Sequence, residues 1–383
     1  MPDPEVGVST AAAPRMIADV FHTLVVQPTT LCNLDCGYCY LPDRRRQRLM
    51  SADVAAALAA SVAEQDSTYP VEVVWHGGEP IATPIGHLRS LLAEFEPLRR
   101  SGRIRHGVQT NATLLSSAWC DLLVEYGFHI GVSVDGPAAC NAARVDRAGR
   151  PAFDRIMRGI RLLQEHSVPF EVICVVTADT IDRADELVEF FTEVGCASVG
   201  FNIEEQEGLN AHRPQVTAAR AEAFWLRLWQ LREAGHALRI RELDRLRDHV
   251  SAMRGGVAPT SLPYDPIPTV AHDGDTVILS PELLGIRSAA YGDFLIGNLL
   301  RESLPTMIGK ARTLRQVAEF ESALRSCAAT CEFWQFCGGA QAGNRFFELG
   351  TFDATETAYC RNSKQALVRS ALTHLTTTKG TPA

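Results

Sequence analysis

The chain has 383 residues, of which 46% are apolar and 21% are charged, and its formal net charge is −8 at pH 7. This composition is typical of a globular protein with a large core, and the length favours two domains. The negative charge argues against nucleic acid as a partner, because a nucleic-acid-binding surface needs a basic face. No apolar run is long enough to span a membrane and no segment has the pattern of a signal peptide, so we expect a cytoplasmic protein.

Short apolar segments alternate with longer helical patterns along the first part of the chain. The predicted strands are 23–27, 71–75, 103–110, 129–134, 170–177 and 198–203. The predicted helices are 52–64, 85–99, 116–126, 152–165, 184–194 and 218–233. A strand followed by a helix, repeated six times, predicts a parallel sheet with helices outside it. The expected fold is therefore α/β, a partial (β/α)6 TIM-like barrel that falls short of a closed barrel.

The rest of the chain divides around this barrel by composition. We expect an N-terminal arm at 1–20, the barrel at 21–235, a linker and hairpin region at 236–302 and a small cysteine-rich C-terminal domain at 303–383. Within the third region, the Asp-Gly pair at 273–274 predicts the tight turn of a hairpin.

Seven of the eleven cysteines fall into two groups. Cys32, Cys36 and Cys39 form the first group, and the second lies near the C-terminus: Cys327, Cys331, Cys337 and Cys360. In a reducing compartment such groups indicate metal binding, and thiolates are the ligands of iron–sulfur clusters. Three thiolates would leave one iron of a four-iron cluster open. The alternative is structural zinc, which normally takes four ligands, but no further Cys or His follows before His76.

Polar motifs occur where the predicted strands end. Gly-Gly-Glu-Pro at 77–80 follows the second strand, Gln-Thr-Asn at 109–111 the third, Ser-Val-Asp-Gly-Pro at 133–137 the fourth, and Asn202 with Glu204 the sixth. Because the carboxyl ends of parallel strands share one edge of the sheet, we expect a site there.

These motifs carry a family resemblance. The spacing of Cys32, Cys36 and Cys39 with Tyr38, and the runs at 75–80, 109–114 and 133–137, resemble radical S-adenosylmethionine (SAM) enzymes with a SPASM-type C-terminal domain. The resemblance covers about residues 20–365 and extends to anaerobic sulfatase-maturating enzymes. The runs at 28–34 and 200–208 are most similar to maturases that form cyclophane crosslinks in ribosomally made (RiPP) peptides.

The resemblance implies the cofactors. A 4Fe-4S cluster on the first three cysteines would bind S-adenosylmethionine at its open iron, and the radical formed from it would abstract a hydrogen atom. The last four cysteines would hold one auxiliary 4Fe-4S cluster, with zinc as the alternative. Ser280 and Ala340 stand where relatives often have ligands of a further, inner cluster, so we expect that cluster to be absent.

The resemblance also implies the residues that hold S-adenosylmethionine. Glu79 would accept a hydrogen bond from the methionyl ammonium, although it is also suited to cap a helix, and Gly77 and Gly78 allow close backbone approach. Ser133 and Arg144 would hold the carboxylate, which a guanidinium matches in shape.

Other candidates have two interpretations each. Tyr38 is expected near the adenine, and Asn111 is expected either at the ribose or as a support of its loop. Asp135 positions the end of its strand or is purely structural. His76 is expected either to face the substrate or to be a buried structural residue. Glu282 and Asp273 are the alternatives for a base that removes a proton from the product.

The predicted function is a radical SAM enzyme that abstracts a hydrogen, from Cβ of a precursor-peptide residue, and joins that carbon to an aromatic ring. The implied partners are the precursor peptide and an external one-electron reductant of the flavodoxin or ferredoxin type. The alternatives are a thioether-forming maturase, a sulfatase-maturating enzyme that makes formylglycine, and a non-enzymatic iron–sulfur electron carrier or redox sensor. A carrier would have no use for a SAM site.

Overall fold

A computed structural model describes residues 15–65, 67, 69–256 and 263–379. Strands and helices alternate through its first part, as the sequence predicts. The strands are β1 (Thr23–Val26), β2 (Val71–Trp75), β3 (Ile104–Thr110), β4 (His129–Ser133), β5 (Glu171–Val176) and β6 (Val199–Ile203). The helices are α1 (Ala52–Glu64), α2 (Ile85–Arg100), α3 (Ser117–Glu125), α4 (Phe153–Glu165), α5 (Ala184–Val194) and α6 (Ala218–Glu233). The predicted α/β fold is confirmed.

The six strands lie in the spatial order β6-β5-β4-β3-β2-β1, and every neighbouring pair is parallel. Parallel neighbours need a crossover connection, which the helices supply. The register places Val26 beside Trp75 and Trp75 beside Val108, so these three strands end close together. Their carboxyl ends therefore form one continuous edge.

Local signals fix where the helices begin and end. The Ser51 and Thr217 hydroxyls accept hydrogen bonds from the backbone amides three residues on, which caps the starts of α1 and α6. Gly195 follows α5 with φ of +67°, a conformation that costs glycine little and ends the helix.

A second group of elements extends the sheet beyond β1. It consists of α7 (Arg241–Arg254), β7 (Thr269–Val270), β8 (Asp275–Val277) and β9 (Gly297–Asn298). β7 runs parallel to β1, β8 is antiparallel to β7, and β9 is antiparallel to β8. The predicted turn between β7 and β8 is present, with Gly274 at φ +89°. Helix α7 is not among the predicted helices, because its apolar stripe is narrow: only Leu243 and Leu246 are buried apolar side chains.

The C-terminal part is helical. It contains α8 (Leu304–Ala311), α9 (Arg315–Thr330), α10 (Trp334–Cys337), α11 (Ala342–Leu349) and α12 (Ala366–Lys379). A π-helical turn, Cys360–Gln365, leads into α12. Two hydrogen bonds hold this turn against α6 and the residue before its cap. The Trp225 indole donates to the backbone carbonyl of Asn362 (2.8 Å), and the side-chain amide of Asn362 donates to the backbone carbonyl of Val216 (2.8 Å).

The described end of the N-terminal arm packs on the protein. Ile17 is buried and forms a parallel bridge with Tyr264, whereas the arm's residues 1–14 lie outside the described part. Across the described ranges, no helix has the length and apolar character that crossing a membrane requires.

Candidate active site

The carboxyl ends of the strands surround a cavity of about 290 Å³. It is lined by the loops after β1, β2, β3, β4 and β6. Two side chains from later in the chain, Glu282 and Gln341, complete the lining. The structure thus brings together most of the predicted site residues: Cys32, Cys36, Tyr38, Cys39, His76, Gly78, Glu79, Asn111, Ser133, Arg144 and Glu282.

The first cysteine group lies on the loop after β1. Backbone hydrogen bonds hold this loop: the Cys32 amide donates to the Arg44 carbonyl (2.9 Å), and the Gly37 amide donates to the Ala143 carbonyl (2.9 Å). Burial raises the pKa of all three thiols, that of Cys36 to about 11. A bound metal would reverse this, because it stabilises the thiolate form.

The Gly-Gly loop after β2 fits tightly against the cysteine loop. Gly78 has φ of +66°, and an added Cβ there would lie 2.7 Å from the carbonyl oxygens of both Thr29 and Leu31. The Glu79 amide donates to the Leu31 carbonyl (2.8 Å). Only glycine therefore fits at position 78, and the two loops are fixed to each other.

Glu79 is buried, with 2% of its surface exposed, and its carboxylate accepts three hydrogen bonds. The Thr110 hydroxyl (2.6 Å) and the Ile81 amide (3.0 Å) donate to Oε1, and the Asn111 amide (2.8 Å) donates to Oε2. Burial raises its pKa despite these bonds. The structure thus shows the capping role, at the short helix Pro80–Ala82, together with a position on the cavity wall.

Amide side chains connect the ends of β3 and β4 to their neighbours. Asn111 Nδ2 donates to Asn33 Oδ1 (3.0 Å), and its Oδ1 accepts from the Thr113 amide (3.0 Å). Asn111 therefore supports its loop, one of its two expected roles. Ser133 Oγ accepts from Gln109 Nε2 (2.7 Å) at the cavity wall.

Asp135, Arg144 and Tyr38 form a buried cluster. The Arg144 guanidinium donates to both Asp135 oxygens (2.9 and 3.0 Å), and the Tyr38 hydroxyl donates to Oδ2 (2.6 Å). The guanidinium carbon lies 5.4 Å from the centroid of the Tyr38 ring. The carboxylate partner of Arg144 in this structure is therefore Asp135. This ion pair holds the Arg144 side chain beside the cavity.

His76 lies at the end of β2 and faces the cavity, where its Nε2 is 3.2 Å from the Tyr40 hydroxyl. Burial lowers the pKa of His76 to about 4. Its ring is therefore neutral at pH 7 and can exchange hydrogen bonds without carrying charge.

Three further carboxylates line the same cavity, and we call them the carboxylate wall: Glu205, Glu207 and Glu282. Glu207 is buried, whereas Glu205 and Glu282 are half-buried. Asn344 Nδ2 donates to Glu205 and lies 3.5 Å from Glu207 Oε1, and the Ser280 hydroxyl donates to Glu282 Oε2. Burial raises the pKa of all three carboxyls, that of Glu205 to about 8. Burial therefore favours the protonated form of each of these carboxyls.

Glu282 is among the predicted site residues, whereas Glu205 and Glu207 are not. Both follow β6 directly, so their position at a strand end was the available signal. Glu204, which also lines the cavity, is paired with Arg213.

Asp273 lies apart from these residues. It sits in the turn between β7 and β8, has 52% of its side chain exposed, and lines a different cavity beside His272 and Arg48. The structure thus separates it from the cavity of the cysteine loop, and Glu282 remains the better placed of the two candidate bases.

The second cysteine group gathers at the C-terminal helices. Cys327 and Cys331 end α9, Cys337 ends α10, and Cys360 begins the π-helical turn. A hydrogen bond from Cys360 lowers the pKa of Cys337 to about 6. Burial raises the pKa of Cys327, and the neighbouring Cys331 and Cys337 thiolates act in the same direction. The four sulfur atoms are thus neighbours, although the chain brings them from three separate segments.

Within the described ranges, no three His, Cys, Asp or Glu side chains surround a point that would hold a single metal ion. An iron–sulfur cluster places each thiolate on a different iron, and the chemistry of the two all-cysteine donor sets fits that requirement.

The sequence profile of the Radical SAM superfamily matches residues 26–191, which include the cysteine loop. The chain therefore contains a Radical SAM domain. It also shares a family with the uncharacterised protein sll1766 of Synechocystis sp., with 34% identity over 352 residues that cover 89% of this chain and 88% of that protein.

Sulfatase-maturating enzymes are more partial relatives. The serine-type enzyme of Klebsiella aerogenes is 30% identical over 236 residues, which cover 58% of this chain and 56% of the enzyme. The cysteine-type enzyme of Clostridium perfringens is 28% identical over 180 residues, covering 45% and 48%. The matches thus span about half the length of these relatives.

Two groups of solved structures share the fold. Native anSMEcpe with bound AdoMet superimposes with a TM-score of 0.73 at 19% identity, covering 93% of this chain and 98% of that chain. Streptococcus suis SuiB bound to S-adenosylmethionine has a TM-score of 0.62 at 16% identity, covering 90% and 78%. Both proteins are also known in peptide-bound structures.

Proposed function

We propose that this protein is a radical SAM maturase that crosslinks Cβ of one residue in a precursor peptide to the aromatic ring of another. One observation carries the proposal: the three-cysteine loop and three carboxylates line a single cavity. A substrate in this cavity would meet both a hydrogen acceptor and a proton acceptor.

The residues beside the cysteine loop fit the cofactor. When bound there, a 4Fe-4S cluster with S-adenosylmethionine would supply the carbon radical that removes a hydrogen atom. The Glu79 carboxylate has about four acceptor positions, of which three are occupied, so it can accept one more hydrogen bond from an ammonium group. Ser133 and the Arg144–Asp135 pair would orient the polar end of the same ligand, and Tyr38 would support it.

Closing a carbon–carbon bond removes two hydrogens from the peptide. One leaves Cβ as a hydrogen atom. The other leaves the aromatic ring as a proton and an electron after the new bond forms. The protein must therefore accept one proton and one electron.

Glu282 is our candidate for the proton. Burial raises its pKa, which strengthens it as a base, and the Ser280 hydroxyl holds its carboxylate in place. Glu205 and Glu207 lie on the same wall and can pass the proton onward. His76 is neutral, so it would contact the peptide through hydrogen bonds.

An auxiliary 4Fe-4S cluster on Cys327, Cys331, Cys337 and Cys360 would accept the electron and pass it to an external carrier of the flavodoxin or ferredoxin type. Packing around Ser280 supports a single auxiliary cluster. A Cβ added at Gly343 would lie 2.4 Å from Ser280 Oγ, so protein fills the space beside this residue.

Sulfatase maturation is the second candidate, because the partial relatives in K. aerogenes and C. perfringens carry that name. It would oxidise a Cys or Ser side chain to formylglycine. Ser280 and Ala340 stand where those enzymes commonly have cysteines, which disfavours it.

The test uses the reduced, anaerobically reconstituted protein with S-adenosylmethionine and the peptide encoded by a short reading frame beside its gene. We expect the peptide to lose two hydrogens, and fragmentation should locate a bond between Cβ and a ring carbon. Loss of two hydrogens also describes serine oxidation and thioether formation. A hydrazide-reactive aldehyde, or a product that requires a peptide cysteine, would therefore overturn the crosslink proposal.

A further inference from the structure

Arg345 is a buried cation in contact with the second cysteine group. Only 2% of it is exposed, and its guanidinium donates to the Gly339 carbonyl (2.9 Å) and lies 3.7 Å from Cys327 Sγ. Its other terminal nitrogen has no hydrogen-bond partner, and the Phe320 ring lies 4.7 Å away. No carboxylate of the described residues forms an ion pair with it.

Lys364 is a second cation at the same cysteines. It lies in the π-helical turn that begins with Cys360, and its ammonium is 5.9 Å from the Phe336 ring centroid and 5.7 Å from that of Tyr359. Within the described ranges, no hydrogen bond or ion pair to a carboxylate reaches this ammonium. Phe336 and Tyr359 directly precede Cys337 and Cys360 in the chain, so the ammonium lies near both cysteines.

Burying a cation such as Arg345 without an ion-pair partner is costly, so its presence indicates an anion that balances it. Four thiolates on a 4Fe-4S cluster carry a net negative charge, which becomes more negative when the cluster is reduced. Two fixed positive charges beside the sulfurs therefore stabilise the reduced state more than the oxidised state. Hydrogen bonds to cluster sulfurs act in the same direction, and Arg345 is positioned to make one.

We propose that Arg345 and Lys364 are positioning residues that raise the reduction potential of the auxiliary cluster, which enables it to accept the electron released by the peptide. This inference rests on the auxiliary cluster of the proposed function. The step moves one electron from the crosslinked peptide to the cluster, while the accompanying proton goes to the carboxylate wall.

The experiment isolates the second site in the full-length chain. Cys32→Ala, Cys36→Ala and Cys39→Ala are combined so that only the auxiliary cluster can assemble, and its potential is measured by redox titration with EPR detection. In this background we expect Arg345→Met and Lys364→Met each to make reduction at least about tenfold less favourable, a downward shift of about 59 mV for one electron.

Two further variants serve as controls. Arg345→Lys keeps the charge and should retain most of the potential, and Arg105→Met removes an exposed cation on β3 and should change nothing. Equal potentials in the parent, Arg345→Met and Lys364→Met, at equal iron and sulfide content, would overturn the inference while leaving the auxiliary cluster intact.

A different result would count against the proposed function instead. If the triple cysteine variant binds neither iron nor sulfide, the auxiliary cluster does not exist and the electron has another acceptor. If Arg345→Met does not fold or assemble a cluster, Lys364→Met and Arg345→Lys decide the question, because both leave a cation at the site.

Discussion

The two cysteine groups differ in how their surroundings balance charge. Beside the first group, Arg144 is neutralised by Asp135, and three thiols face an open cavity. Beside the second group, Arg345 and Lys364 have no carboxylate partner among the described residues, and the thiols number four. The first group thus leaves a coordination position open, which S-adenosylmethionine would occupy in the proposed function. The second group has a full set of four thiols and two cations from the protein beside it, which would suit the proposed role of an electron acceptor.

The largest expected effect separates the two groups directly. Cys36→Ala should abolish formation of 5′-deoxyadenosine, because the cluster that cleaves S-adenosylmethionine loses a ligand. Cys331→Ala should keep that cleavage while the crosslinked peptide disappears. Chromatography of the nucleoside and mass spectrometry of the peptide measure the two outcomes. Loss of nucleoside in both variants would show that the groups do not have separate roles.

The next prediction concerns the carboxylate wall. Glu282→Gln should slow crosslinking by about 10²–10⁴-fold, the usual contribution of a general base, while cleavage of S-adenosylmethionine continues. Asp273→Asn is the matched control in the exposed turn, and its crosslinking rate should equal that of the wild type. A reversed pattern would move the base to the hairpin and contradict the assignment of Glu282.

The paired cation of the first group offers a stability test. Arg144→Met should lower the free energy of unfolding by about 3–5 kcal/mol, because it leaves Asp135 as an uncompensated buried charge. Arg89→Met breaks an exposed pair with Glu125 and should cost at most about 1 kcal/mol. Urea denaturation of cluster-free protein measures both. Similar costs would mean that the Asp135 pair is solvated.

The smallest expected effect depends on pH. The folded-state pKa of Glu205, about 8, lies above its ordinary value of 4.5, so its contribution to stability is complete below pH 4.5 and is lost as pH rises towards 8. Glu205→Gln cannot ionise. Between pH 5.5 and pH 8.5, the free energy of unfolding of Glu205→Gln should rise by roughly 1 kcal/mol or more relative to that of the wild type.

Urea denaturation at both pH values measures this gain, and Glu94→Gln on the exposed face of α2 is the control. A pH-independent difference between Glu205→Gln and wild type would show that the carboxyl remains charged throughout.

The sequence predicted those features that depend on short-range patterns. The six strand and helix pairs follow from local periodicity, and the cysteine loop and the run at 77–80 follow from motif spacing. The structure adds the reason for Gly78, whose backbone touches the cysteine loop. It also confirms the turn at Gly274, because a tight turn has a local signature.

Features that depend on distant contacts were not predictable. Strand β7 has two residues and becomes recognisable only beside β1. The sequence predicts that the Arg144 guanidinium binds a carboxylate of the ligand. No local sequence pattern shows that it pairs with Asp135. Glu205 follows β6 and Glu282 lies within the linker and hairpin region, and only the fold brings them to one cavity.

The hydrogen bonds that fasten the π-helical turn to α6 have a consequence for the second cysteine group. Trp225 and Val216 belong to the barrel, and their partner Asn362 lies two residues after Cys360. Docking of this turn on the barrel therefore helps to hold the fourth thiol beside its companions. Completion of the second cysteine group thus depends on the folded barrel as well as on the C-terminal helices.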